Sequence, residues 1–197
     1  MKIRIKFSKH GKMIYIGHLD LMRYFQKSMR RAYIPIKYSE GFSPHQIMSF
    51  ASPLGIGIES DAEYFDIELE PNAKIIPYEA IMRLNCVMVP GIHVLDWKEL
   101  PDDARKSMSI LTSADYEVQI DQYDLSLIPE EMKSLIYEIH PIQGGLFMRV
   151  AQGSAANLKP EDLISVITGS DDENKLEARA KCLITRKEMY GPDGLTL

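Results

Sequence analysis

Hydrophobic and polar residues alternate from Lys2 to Ser8, with Ile3, Ile5 and Phe7 on one face, and this period of two predicts a half-buried strand. Lys9-His10-Gly11-Lys12 reads as a turn, after which Met13–Ile16 can extend the pairing. From His18 to Ala32 the period becomes helical. Leu21, Met22, Phe25, Met29 and Ala32 share one face, and Arg23, Lys27, Arg30 and Arg31 lie on another. Pro35 stops that helix, leaving Ile36–Tyr38 as a short strand. Gly41–Gly57, with glycines and prolines among aromatic and small residues, reads as a structured loop or hairpin. Glu63–Glu70 alternates again, Pro77–Val87 is a helix opened by its proline, and Gly91–Leu100 is a strand.

A polar stretch, Pro101–Lys106, separates a second set of elements. Ala114–Ile120 alternates as a strand, and Pro129–Lys133 is a helical turn at most. Leu135–His140 and Leu146–Ala151 form a hairpin about Pro141–Gly145. Lys159–Thr168 is a short helix with Pro160 near its start, and Leu176–Thr185 a final strand. Each half therefore follows the order β-α-β-β-α-β, that of the ferredoxin-like split βαβ fold. The expectation is an α+β protein of two tandem ferredoxin-like βαββαβ halves. Residues 1–100 hold the basic helix and the Gly/Pro loop, and residues 107–197 form the second half.

At 197 residues, 45% hydrophobic and 26% charged, the chain has ample material for a buried core. No run approaches the roughly 20 apolar residues that span a bilayer, and the alternating N-terminus is a strand pattern rather than a signal peptide. Cys86 and Cys182 lie far apart in apolar runs, without a CxxC pair, which fits reduced core thiols and a cytoplasmic location. The net charge of −5 hides a segregation. The first fifty residues carry ten Lys/Arg against Asp20 and Glu40, a balance of +8, and the remainder balances at −13. Such a distribution attracts a polyanion to one face, unless the acidic half neutralises it in the fold.

Three segments could carry chemistry. Gly17-His18-Leu19-Asp20 sits where a strand feeds a helix, so free N–H groups there attract anions, and His18 could donate to phosphate or act as an acid–base group. Against this, Asp20 complements the helix dipole and His18 can simply pack. Arg23, Lys27 and Arg30, at spacings of four and three, line one side of the helix with Arg31 beside them. They could track a phosphate backbone, with Tyr24, Tyr33 and Tyr38 as stacking platforms; the alternative is a solvated charged face. In the loop Tyr38-Ser39-Glu40-Gly41-Phe42-Ser43-Pro44-His45, glycine lets a backbone approach a ligand, and His45 could join His18 in one pocket. Two histidines with Asp20 or Glu40 could hold a metal, but the spacing matches no metal motif, so no metal is expected. Gly55-Ile56-Gly57 lacks the rest of a dinucleotide fingerprint, and no serine sits in a nucleophile elbow.

The run from Phe7 to Ser60 resembles the bacterial radical-SAM-linked protein family, a domain of unknown function. The resemblance rests on Gly17–Arg23, Arg30–Pro35, Tyr38–His45, Ser49–Ala51, Pro53–Gly55 and Glu59-Ser60. It extends to Asn157–Pro160, with Lys159 where the family has arginine, and to Thr185–Tyr190, which contains Arg186. Gln46 stands where the family usually has a second proline. The resemblance implies association with a radical-SAM enzyme and supplies no activity. The chain has no CxxxCxxC for an iron–sulfur cluster, so it is not that enzyme, and no cofactor is expected.

The leading expectation is an accessory protein that binds RNA, or presents substrate, for a radical-SAM enzyme in RNA modification. Its RNA- or anion-binding residues would be Arg23, Lys27, Arg30, Arg31, Tyr24, Tyr38, Gly41, Phe42, Ser43, His45, Lys159 and Arg186. A metal-independent endoribonuclease, with His18, His45 or Asp20 as catalytic candidates, is an alternative, its architecture similar to repeat-associated RNA-processing proteins. A protein-interaction adaptor is another.

Overall fold

A computed structural model describes residues 1–170 and 182–197. Eight strands and five α-helices alternate among them, so the protein is of the α+β class. The chain divides into two compact units. Unit 1 comprises Met1–Gly57 with Ala62–Ile110, and unit 2 comprises Ile58–Asp61 with Leu111–Leu197. The polar stretch 101–106 thus belongs with unit 1.

Unit 1 runs β1 (Lys2–Lys9), α1 (His18–Arg31), β2 (Met48–Phe50), most of β3 (Glu59–Glu68), α2 (Pro77–Val87), β4 (Ile92–Leu100) and a short α3 (Ser107–Ile110). Its strands lie in the order β4-β1-β3, with β2 paired to β3. β1 and β4 are antiparallel from Lys2↔Leu100 to Lys9↔Ile92. The alternation of β1 places Ile3, Ile5 and Phe7 in the core, fully buried. There they join Leu21, Phe25 and Met29 of α1, Ala80 and Leu84 of α2, and Phe50, Phe65 and Trp97. Aromatic rings knit this core: Phe25 lies 4.7 Å from both Phe7 and Phe65, which are 5.7 Å apart. α1 stops because Tyr33 takes a left-handed conformation, φ 53°, and the Ile34 N–H bonds back to the Met29 carbonyl at 3.0 Å.

Three local expectations are revised here. Met13–Ile16 does not extend the pairing: Gly11, at φ 58°, turns the chain into a 3-10 helix, Gly11–Tyr15, that buries Ile14. Ile36–Tyr38 contributes only isolated bridges, Ile36↔Leu69 and Tyr38↔Gln46. β3 starts earlier than its alternation suggests and is buried continuously from Ala62 to Ile67, the pattern of a strand covered on both faces.

Unit 2 contains β5 (Ser113–Gln119), α4 (Glu130–Lys133), β6 (Ile136–Ile142), β7 (Gly145–Ala151), α5 (Pro160–Ile167) and β8 (Leu183–Tyr190). Its order is β8-β5-β7-β6, and Glu59 and Ser60 pair in parallel with Thr185 and Arg186. The β6–β7 turn is tighter than expected. Pro141 pairs with Leu146 inside the ladder, and only Gln143 and Gly144 connect the strands. β6 ends the order, where a missing N–H is tolerated. The last strand is displaced towards the C-terminus of the predicted Leu176–Thr185, whose residues 176–181 lie outside the described residues. Buried Arg186 interrupts the hydrophobic pattern that would have marked β8 in the sequence.

Candidate functional site

The ten basic residues of the first fifty are not equally available. Arg4 is buried in an ion pair with Asp66 at 2.8 Å, and Lys9 is 1% exposed. Lys2 donates to the Asp102 and Ala104 carbonyls at 2.6 and 3.0 Å, and Lys6 lies over the Tyr64 ring. Lys37 faces Glu68 at 3.4 Å. Arg31 donates to the Val87 carbonyl at 3.0 Å, capping the C-terminus of α2. Arg23 reaches Asp20 at 3.3 Å, but both side chains are about two-thirds exposed, so that pair is weak. Lys12, on the 3-10 helix, and Lys27 and Arg30, on α1, are exposed and have no partner among the described residues. The open cationic surface of α1 is therefore Lys27 and Arg30, with Arg23 beside them.

The tyrosines separate in the same way. The Tyr24 hydroxyl accepts from the Val89 N–H at 2.7 Å and faces the Met88 sulfur, so this half-buried ring braces α1 against the chain after α2. Tyr33 is 85% exposed and Tyr38 39% exposed. The most exposed aromatic side chain is Phe42, which has no burial at all.

Phe42 rides on a closed loop. The Ser39 N–H donates to the His45 carbonyl at 2.8 Å, and the His45 N–H donates to Ser39 Oγ at 3.1 Å. Ser39 Oγ also meets His45 Nδ1 at 2.8 Å. Gly41, at φ 111°, supplies a backbone conformation that a side chain would strain. At the base, Gln46 is 4% exposed, and its Nε2 donates to the Gln26 carbonyl and to the Tyr38 hydroxyl, both at 3.2 Å. The loop is thereby fastened to the middle of α1. The Gln46 N–H takes no part in the Tyr38↔Gln46 bridge, whose bonds run from Ser39 and Ile47. A proline at this position would lose no ladder bond; glutamine substitutes a side-chain tie for a backbone constraint.

The two histidines have different partners. His18, the first residue of α1, sets its ring edge-on to Phe50 at 5.3 Å, whereas His45 is committed to Ser39 and the Ser43 carbonyl. Among the described residues, no group of three or more His, Cys, Asp or Glu is placed to hold a metal. Ser43 is exposed on the loop, and Lys159 is exposed as the N-cap of α5 in unit 2. Arg186 is fully buried in β8, away from any surface a phosphate backbone could track.

A polar network in unit 2 escaped the sequence reading. Arg149 grips Asp115 with two bonds of 2.6 and 2.8 Å, and the Tyr190 hydroxyl donates to the same carboxylate at 2.7 Å. Burial, with this bond second, pushes the Tyr190 hydroxyl up to about 12, and the Asp115 bond holds Arg149 more firmly protonated than usual. Lys187 pairs with Asp61 and Glu117, and the Asp61 contact raises its ammonium above the ordinary range. Each charge here has its counter-charge, which is the signature of architecture rather than of a poised reactive group.

A family model matches residues 2–143, and its description is Uncharacterized protein conserved in bacteria (DUF2344). The chain belongs to this family. In DUF2344 terms, the matched region holds α1, the Phe42 loop and the chain through β6, and ends before α5 and β8. A comparison with curated proteins matched none. Among the described residues, no helix is long and apolar enough to cross a membrane.

Proposed function

We propose that this protein is a noncatalytic accessory factor that binds RNA and presents it to a radical-SAM enzyme in RNA modification. The observation that carries the RNA part is the exposed pair Lys27 and Arg30, without a partner among the described residues, in line with Arg23 on α1 of an otherwise acidic chain. Unpaired cations on a helix face cost self-repulsion when nothing binds, and a phosphate backbone relieves it. The enzyme partner is supported by the resemblance of Gly17–Arg23 and Tyr38–His45 to radical-SAM-linked proteins. We further infer that both units are ferredoxin-like halves. Each runs β-α-β-β-α-β, with its last strand beside its first and its third beside its second, the order of that fold.

The wholly exposed Phe42 favours a second reading, an adaptor that docks a protein and binds no nucleic acid. A salt-titrated binding assay with a pool of small cellular RNAs separates the two. RNA binding predicts that affinity falls with salt, and that Lys27→Ala/Arg30→Ala lowers the log–log slope by about 1.4 for single strands. No binding at low salt leaves the adaptor. Co-purification with a co-expressed radical-SAM enzyme tests the partner, and its failure removes that half of the proposal.

A further inference from the structure

The loop carrying Phe42 is tied to α1 by the Gln46 Nε2 bond to the Gln26 carbonyl at 3.2 Å. Gln26 precedes Lys27 directly, so the base of the loop is anchored on α1 next to the cations. The Ser39–His45 bonds close the loop above that anchor. The sequence places a glycine at the positive-φ position 41 and a buried amide at Gln46 beneath an apolar ring displayed to water, and folding gains nothing from the ring.

Along α1, Arg23 to Arg30 spans about 10.5 Å at the helical rise. Three cations over that distance match a few successive phosphates of one strand. An A-form duplex stacks its bases on one another, so it offers Phe42 no free ring face. An unpaired nucleotide offers a π face beside its own phosphate. We propose that this face binds single-stranded RNA, with Phe42 as the stacking platform for an unpaired base and Lys27 and Arg30 as phosphate contacts. The inference rests on the RNA reading above and names its substrate class.

The test uses the full chain and a 12-nucleotide RNA of mixed sequence containing 2-aminopurine, alone and annealed to its complement. The single strand is expected to bind at least tenfold more tightly than the duplex, although the duplex carries more charge. Phe42→Ala should weaken single-strand binding by roughly tenfold while leaving the salt slope unchanged. Phe42→Trp should restore affinity. Lys27→Ala/Arg30→Ala should instead reduce the slope. Duplex binding as tight as single-strand binding, or an unaltered affinity in Phe42→Ala, overturns the single-strand assignment while leaving RNA binding standing. Absence of binding to either form at low salt overturns the RNA reading itself.

Discussion

The strongest quantitative consequence of the fold concerns Arg4 and Asp66. Their side chains are 5% and 10% exposed, and Arg4 donates to the carboxylate through Nε at 2.8 Å and Nη2 at 3.2 Å. The Ser107 N–H donates to the same group at 2.5 Å, and Arg4 also reaches the Arg105 carbonyl at 3.1 Å. One pair thus fastens β1, β3 and the chain leading into α3. Arg4→Met leaves a buried carboxylate with a single remaining donor, and removing one member of a buried pair costs about 3–5 kcal/mol. Asp66→Asn leaves the guanidinium with weaker acceptors and should cost a similar amount. The double variant buries no net charge and keeps an amide acceptor for Ser107, so it should lie within about 1–2 kcal/mol of wild type. The coupling in the cycle should then reach at least about 3 kcal/mol. The assay is urea unfolding followed by the emission of Trp97, the only tryptophan, which is 4% exposed in the unit 1 core. Additive single costs, or a loss below about 1 kcal/mol for Arg4→Met, would refute the reasoning that burial makes this pair interdependent.

Other expectations are simpler to check. A Cβ on Gly145 would overlap the Val118 carbonyl, whereas one on Gly144 meets nothing and only opposes φ 75°. Gly145→Ala should therefore lower the melting temperature well beyond the shift of a few degrees, roughly 1 kcal/mol, expected for Gly144→Ala; equal shifts would contradict the packing argument. The Tyr190 hydroxyl is raised to about 12 in the fold, above its unfolded value of about 10. Its contribution to stability is therefore complete below about pH 10 and is lost as pH climbs from about 10 to 12. Thermal melts across that window should fall less steeply for Tyr190→Phe, and parallel curves would dismiss the effect. Neither cysteine is the core thiol expected from its apolar run: Cys86 is exposed and Cys182 half-buried, and burial raises the Cys182 thiol, so iodoacetamide near pH 8 should label Cys86 first by mass spectrometry. Faster labelling of Cys182 would reverse that order.

The sequence by itself determined the local elements. β1, α1, α2 and β4 stand where period and punctuation put them, and α2 begins and ends at the expected Pro77 and Val87. Periodicity is a property of neighbours in the chain, so it survives without knowledge of the fold. It failed where a neighbour in space intervened. Ile14 turned inward on a 3-10 helix, Pro141 stayed in a strand because that strand lies at an edge, and Arg186 was fully buried. The candidate site was half legible for the same reason. Its cations could be counted, but not their counter-groups: Asp66 lies 62 residues from Arg4, and the Val87 carbonyl 56 from Arg31. Only the tertiary structure distinguished Lys27 and Arg30, with Lys12, from the basic residues engaged in architecture. It alone tied the base of the Phe42 loop to α1, through a glutamine that binds 20 residues back along the chain. Charge and hydropathy are additive along a sequence, whereas the availability of a charged group depends on what folding brings within hydrogen-bonding distance of it.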